Sequence, residues 1–438
     1  MKRKYIEIII LLILSSLIVF FKFNEIPKNL AYDEVEFAKL ALSLDKKPYA
    51  PFSLLATGHA TFYFYIILAS FKIFGITSFA LRFPSAMFGV LCVPLFYLIM
   101  KHVFNNKENN YDNSLSSSNN KRRWLSTLPF LLTIIFLSLR WFFNFARFSF
   151  EPTLLLFLEL ASIFFLFKYL NNLKKIHLLV FSGAFAGLAY NSYTAGRIFF
   201  ALPLLFLILK GIKKDIKVNR QTFKKIIYKI VLFIIPFIIL IAPLNIYLSK
   251  VKDTRIDQLF FLRNHEMTIN EKITGLGENI YKTALMFGIK GDINGRHNYP
   301  GKPALNPILA ILFSIGLFLA IKNFSQFYNK FFVLYFSLSL IPALMTYSWE
   351  NPNMIRTYTV IPSVVYFIGL SIKRIINIRF NKINKKYLYI FIIAIIFSSS
   401  LYEIRTYFFY QAKVFKKSFQ KVGTLKDNLK SINYYEKK

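Results

Sequence analysis

HATFYFYIILASFKIFG, residues His59 to Gly75, is the stretch on which the architecture turns. It is apolar enough to enter a bilayer, yet it is short, crowded with Phe and Tyr, and carries His59 and Lys72. A helical crossing takes about 20 mostly apolar residues. Runs of that kind surround it, at 5–21 and then at 79–100, 124–142, 152–169, 176–191, 198–210, 230–247, 305–320, 331–347, 358–372 and 387–401. If 59–75 does not cross, the basic loops 101–123, 168–175, 210–229, 322–330 and 373–386 all fall on the side of the N-terminus, as the positive-inside rule demands. If it crosses, the same loops fall outside. The expectation is therefore an all-α polytopic membrane protein of about 11 transmembrane helices, with 59–75 as an amphipathic helix lying in the outer interface.

Composition agrees. Of 438 residues, 55% are apolar and 18% aromatic, far above an ordinary soluble domain. The net charge of +35 would point to nucleic acid in a soluble chain, but these Lys and Arg sit between apolar runs and suit loops at an anionic leaflet, so no nucleic-acid partner is expected. The single cysteine, Cys92, lies inside an apolar run and supports neither a disulfide nor a Cys-based metal site. The start, Met1-Lys2-Arg3-Lys4 before an apolar run, has the outline of a signal peptide. It lacks a small-residue cleavage site, and Phe20, Phe21 and Phe23 close it, so it reads as a retained first helix with its N-terminus inside. Residues 1–402 form the expected bundle, with external loops at about 24–57, 143–151, 248–304 and 348–357, and 403–438 form a short external tail. The inner stretch 105–120 is Asn/Ser-rich and reads as disordered.

Polar residues that could carry chemistry gather on the outer side of this map. Tyr32-Asp33-Glu34-Val35-Glu36 follows the first span, with a short helix starting at Asp33. Asp33 with Glu36 three residues on has the spacing of an N-cap and capping-box pair, so capping accounts for it as well as catalysis does. The functional reading is a carboxylate that activates a polar acceptor as general base or holds a metal. Arg147-Phe148-Ser149-Phe150-Glu151-Pro152 places a second carboxylate at a helix start. Glu159 lies deeper and should face the bundle interior, partnered or protonated. Arg147, Arg197 and Arg356 are outer cations suited to a phosphate through bidentate hydrogen bonds, or to snorkelling toward headgroups; Arg82 shares that ambiguity. The turn-rich segment 288–301 contains Asp292, His297 and Asn298; without a second ligand-spaced His or Cys, His297 reads as a substrate contact or a loop hydrogen bond rather than a zinc ligand.

In order and spacing these residues resemble the dolichyl-phosphate-mannose-protein mannosyltransferase-like family (glycosyltransferase family 39), C-type glycosyltransferases that include bacterial aminoarabinose and lipopolysaccharide-core sugar transferases. The resemblance rests on Asp33-Glu34, on Phe74-Gly75 before Ala80-Leu81-Arg82-Phe83-Pro84-Ser85, on Arg147 to Glu151, on Gly187-Leu188-Ala189-Tyr190 leading to Tyr193 and Arg197, on His297 to Pro303, and on Arg356 before Pro362. It departs where relatives often have a proline pair, here Gly58-His59-Ala60-Thr61, and where many have Asp, here Glu151. It implies a GT-C-like bundle in the plasma membrane with the active site on the external face. The implied reaction is inverting transfer of one sugar, mannose or a related one, from a polyprenyl-phosphate donor to a hydroxyl on a protein, lipid or glycan acceptor. Asp33 is then the base, with Glu34 beside it. Glu151, Arg147, Arg197, His297, Asn298 and Arg356 are the implied substrate contacts. The resemblance leaves a divalent cation open, since some members use one and others do not. A transporter or flippase of lipid-linked sugars is the competing class.

Overall fold

The computed structural model describes residues 2–105, 119–211, 220–251, 253–378 and 385–430. The core of the Asn/Ser-rich stretch and the last residues of the tail lie outside them. Residues 59–75 fold as expected for a segment that does not cross: α3 (Phe62–Phe74) has 13 residues. At 1.5 Å per residue this is about 20 Å, against roughly 30 Å of hydrocarbon. Tyr63, Phe64, Ile67 and Phe71 are buried on one side, while Lys72, Ile73 and Phe74 are exposed on the other. Before it come α1 (Lys2–Phe20), α2 (Tyr32–Ser43) and a two-residue hairpin, β1 (Phe52–Ser53) against β2 (His59–Ala60), which the all-α expectation did not contain.

Most of the remaining helices follow the apolar runs; two lie in the expected external loop 248–304 and two in the expected tail 403–438. They are α4 (Ser78–Asn105), α5 (Asn119–Ser138), α6 (Arg140–Phe145), α7 (Pro152–Asn171), α8 (His177–Ser192), α9 (Ala201–Gly211), α10 (Arg220–Leu248), α11 (Thr254–Leu259) and α12 (Ile269–Met286). After them come α13 (Pro307–Lys322), α14 (Phe327–Leu344), α15 (Ile361–Asn377), α16 (Lys385–Arg405), α17 (Ala412–Ser418) and α18 (Leu425–Lys430). Among the described residues, six helical segments are by themselves long and apolar enough to cross a membrane, and α3, α13 and the helical parts of 127–138 and 194–209 are shorter apolar helices. The chain is an integral, multi-pass membrane protein.

Three boundaries differ most from the sequence reading, the first being the start of α10 at Arg220, inside the expected basic loop 210–229. The run 124–142 is broken at Leu139, whose backbone is extended, so that α6 leaves the axis of α5 and carries Arg140 and Asn144 toward the 288–301 segment. The run 198–210 opens as a 3-10 turn, Thr194–Ile198, before α9.

Helices approach closely where they carry glycine. A methyl group at Gly316 of α13 would strike the Phe367 carbonyl of α15, and one at Gly183 of α8 the Phe233 carbonyl of α10. Small residues at crossings replace the hydrophobic drive that lipid cannot supply. Elsewhere the interior is filled with Phe and Tyr, and the outer surfaces are Ile-rich: Ile238 and Ile239 of α10 and Ile311 and Phe318 of α13 are largely exposed, as lipid-facing side chains are.

With α3 not crossing, successive long helices alternate in direction. The ends of α1, α5, α8, α10, α14 and α16 and the starts of α4, α7, α9, α13 and α15 thus share one end of the bundle. Hydrogen bonds confirm it. Arg147, before α7, donates to carbonyls at the end of α1, and Arg82, at the start of α4, binds Glu34 after α1.

Candidate functional site

Asp33 and Glu34, adjacent in sequence, have different surroundings. The first turn of α2 begins one residue earlier than expected, at Tyr32, and the capping role belongs to Glu34 rather than to the Asp33–Glu36 pair. Glu34 Oε2 accepts the backbone N–H of Ala31 (3.0 Å), and Oε1 that of Ser149 (3.1 Å). The Arg82 guanidinium grips the same carboxylate twice, at 2.7 and 2.8 Å, and donates onward to the Pro27 and Asn29 carbonyls. Glu34 is fully buried and both its oxygens are engaged. That arrangement locks α2 to α4 and to the turn before α7. Asp33 points the other way. Its side chain is 38% exposed and its partner is Arg296, from the 288–301 segment.

Glu151 precedes Pro152, the first residue of α7, but does not cap the helix. Its Oε1 accepts His59 Nδ1 at 2.5 Å, while Oε2 is buried without a hydrogen-bond partner. Arg255 Nη1 donates to the other ring nitrogen of His59 and reaches the Gly58 carbonyl (3.3 Å). Burial, then the positive charge of Arg255, lowers the His59 pKa below its ordinary 6.5, so the ring is neutral near pH 7. Burial alone would raise Glu151, but His59 and Arg255 outweigh it and hold the carboxyl below its ordinary range. Asp33 and Phe37 share a face of α2 one turn apart, and the Phe37 ring packs on His59 (5.1 Å) and on Phe150 (5.2 Å). Phe37, one turn on from Asp33, thus links α2 to the Glu151–His59 pair at the same end of the bundle.

The arginines divide in the same manner. Arg147, expected as a phosphate contact, is buried; it donates to the carbonyls of Ile18, Val19, Phe21, Lys22 and Ile26 and to the Tyr407 hydroxyl. It neutralises the C-terminal end of α1, which has carbonyls but no donors of its own. Arg197 pairs with Asp253 (2.8 Å) and lies 6.0 Å over the Tyr190 ring; Arg356 pairs with Glu350. Both keep a buried nitrogen without a partner, Arg197 Nε and Arg356 Nη1, and Asp253 Oδ1 is likewise unpartnered. Burial raises the Tyr193 hydroxyl pKa above its ordinary 10.0, and Arg255, Glu151, Arg356 and Glu350 lie within electrostatic reach of it.

His297 and Asn298 hold the 288–301 segment together. Asp292 accepts from His297 Nδ1 (2.9 Å), from the Met354 amide (2.9 Å) and from the Asn294 amide (2.7 Å). Asn298 donates to the Asp292 and Lys302 carbonyls and accepts from Arg140. Of the two readings open to His297, the loop hydrogen bond is the one found. Glu159 faces the interior and accepts from the Tyr335 hydroxyl (2.6 Å). Among the described residues no three His, Cys, Asp or Glu side chains gather as a metal-ligand set.

His59, Tyr193, Asp253, Arg255, Arg296 and Glu350 complete the site. The sequence reading did not select them as site residues. In sequence His59 stands out only as a polar residue in 59–75 and a departure from a proline pair, and Arg255 sits in a loop that also holds Lys250, Lys252 and Arg263, with nothing in spacing to distinguish it.

This order of crossing and non-crossing helices, with acidic and arginine side chains converging at one end, is the C-type glycosyltransferase (GT-C) fold. Among solved structures the chain is similar to ArnT from Cupriavidus metallidurans bound to undecaprenyl phosphate, at TM-score 0.54 and 12% identity over 94% of this chain and 76% of that one. It is also similar to the oligosaccharyltransferase of Archaeoglobus fulgidus in the apo form, at TM-score 0.51 and 13% identity; it matches over 95% of its own length and spans 56% of that chain. No family model and no curated protein matches the sequence.

Proposed function

We propose that the protein is a membrane glycosyltransferase that moves one sugar, mannose or a related hexose or pentose, from a polyprenyl-phosphate donor to an acceptor hydroxyl on a protein, lipid or glycan. The observation that carries this reading is a set of buried polar atoms that lack partners among the described residues, at the end of the bundle that also holds the half-exposed carboxylate of Asp33: Glu151 Oε2, Asp253 Oδ1, Arg197 Nε and Arg356 Nη1. Buried polar atoms are nearly always satisfied, so a ligand that satisfies them must offer both acceptors and donors. A sugar phosphate does: its phosphate oxygens accept from guanidinium groups and its hydroxyls donate to carboxylates. The likeness to ArnT bound to undecaprenyl phosphate agrees with a lipid phosphate.

In this reading Asp33 takes the proton of the acceptor hydroxyl as that oxygen bonds to the anomeric carbon from the face opposite the phosphate. The bond from the anomeric carbon to the phosphate oxygen breaks, the lipid phosphate leaves with the electron pair, and the anomeric configuration inverts. A phosphate leaving group needs cations more than an acid, and Arg197, Arg255 and Arg356 supply them. Glu151 and Asp253 hold sugar hydroxyls. Glu34 and Arg147 frame the site without touching substrate, and His297 and Asn298 shape the segment that brings Arg296 to Asp33. In this reading the N-terminus is cytoplasmic and the site lies on the external face of the plasma membrane, an orientation that the distribution of basic loops supports.

Transfer of radiolabelled sugar from polyprenyl-phosphate donors by purified protein tests the reading. Asp33→Asn should fold normally and lose transfer by about 10²-fold or more. Full activity in a folded Asp33→Asn protein removes Asp33 from the reaction, and movement of lipid-linked sugar across liposomes without a glycosidic product replaces the transferase by a flippase.

A further inference from the structure

Helix α12 has a face that nothing among the described residues covers. In its second half Asn279 donates to the Leu344 and Thr346 carbonyls (2.9 and 2.6 Å), and Lys282 to the Ser348 carbonyl (2.8 Å), all at the end of α14. At its C-terminus the amides of Ala304 and Leu305 donate to the Met286 and Phe287 carbonyls (2.9 and 3.1 Å), and Gly288 abuts Ala310 in the first turn of α13. Because α14 ends and α13 begins at the same end of the bundle, a helix that touches both runs across those ends. It lies along the membrane surface, not through it.

On its uncovered side Ile269, Ile273 and Ile280 are 75%, 64% and 52% exposed. Spacings of four and seven align these residues in one stripe. Tyr281 and Trp349, 65% and 73% exposed, flank it, and Trp349 stacks on Tyr347 at 4.3 Å. Beyond the α12–α13 junction, Ile308, Ile311 and Ile315 form the exposed side of the apolar helix α13.

We propose that α12 is an interfacial helix whose isoleucine stripe is embedded in the acyl–headgroup boundary of the leaflet at the site end of the bundle, with Trp349 and Tyr281 at headgroup level. Two observations select lipid over a second copy of the chain: α12 abuts, through Gly288 and Ala310, an apolar helix with exposed isoleucines, and exposed aromatics of this kind are the residues of the membrane boundary. The polar side carries both signs, Glu271 and Glu278 with Lys272 and Lys282, so apolar burial drives the attachment and anionic lipid is not required.

Spin labels test the placement independently of any catalytic reading. Cys92 is the only cysteine and is buried, so full-length Cys92→Ala can carry single cysteines in place of Ile273, Ile280 or Glu278. In phosphatidylcholine vesicles, labels at 273 and 280 should collide with oxygen severalfold more than with a water-soluble nickel chelate. The label at 278 should show the reverse order, and neither result should change with salt. Nickel exposure at 273 and 280 equal to that at 278 overturns the proposal in favour of a solvated loop. Shielding from both reagents overturns it in favour of a protein contact. Ile269→Cys provides an independent position on the same stripe should a label at 273 disturb folding.

Discussion

Arg147 and Arg356 stand at the same end of the bundle and look alike in sequence, but their partners assign them different work. Arg147 satisfies the carbonyls that close α1, so Arg147→Met leaves buried acceptors without donors and should destabilise the protein by about 3 kcal/mol or more, read as a lowered unfolding midpoint in detergent. Arg356 has one rim partner, Glu350, and a buried nitrogen, Nη1, without a partner among the described residues. Arg356→Met should leave the midpoint within about 1 kcal/mol of wild type and weaken donor binding roughly tenfold or more, the weight of a charged hydrogen bond to phosphate. His59 and Glu151 set a pH response. The folded His59 pKa is lowered, so its stabilising contribution is complete above the ordinary 6.5 and is lost as pH falls below that value. Glu151 is lowered too, so its contribution is complete above its ordinary 4.5 and is lost further into acid. Unfolding midpoints should therefore begin to fall once pH drops below 6.5, and His59→Gln should make that fall shallower, the remainder coming from His102, whose pKa burial lowers to about 4. Asp33 and Glu151 were legible in sequence because carboxylates beside membrane helix ends are rare and conspicuous. Their partners were not, since Arg82, His59, Arg255 and Arg296 are joined to them only by the fold.

Elements contribute by how closely they approach and by which segment braces which. The 6.1 Å ring contact of Phe313 with Phe367 accompanies the crossing of α13 and α15 at Gly316, where a side chain meets backbone and cannot be accommodated by a rotamer change. Gly316→Val should separate these helices and cost about 1–3 kcal/mol, measured by the same unfolding assay. The segment after α16 braces the site. Leu30 and Lys421 exchange two backbone hydrogen bonds of 3.0 Å, Phe419 lies under the Arg82 guanidinium at 5.9 Å, and Leu425 and Leu429 of α18 are buried. Gly295, next to Arg296, packs on Ser418 and Val414 of α17 so tightly that a methyl group there would overlap the Ser418 hydroxyl. Gly295→Ala should push Arg296 away from Asp33 and lower transfer about tenfold, and Ser418→Gly in the same chain should restore part of it. Unchanged transfer in Gly295→Ala would sink the bracing role. Helix positions were legible here because hydropathy and length are local. The break at Leu139 and the return of 403–430 onto α2 were not, because both depend on partners far along the chain, Asn298 for Arg140 and Leu30 for Lys421.

At the scale of the molecule, one short helix governs everything else. With α3, about 20 Å long, kept on one side of the hydrocarbon as the placement of the basic loops requires, every later helix takes its direction from it. Lys46 precedes α3 and Thr77 follows it, and both are exposed. Lys174, in the turn between α7 and α8, is also exposed and belongs to a basic loop, while exposed Lys290 belongs to the segment that carries Arg296. Single cysteines at these four positions in a Cys92→Ala background read the topology directly. A membrane-impermeant thiol reagent applied to intact cells should label 46, 77 and 290, and should reach 174 only after the membrane is permeabilised. Labelling of 46 and 77 from opposite sides would mean that α3 crosses, and the convergence of Asp33 with Glu151 would lose its topological basis. Labelling of 174 alone in intact cells would keep α3 interfacial but turn the whole bundle over, placing the arginine-lined site in the cytoplasm and the basic loops outside, against the field that orients membrane proteins during insertion.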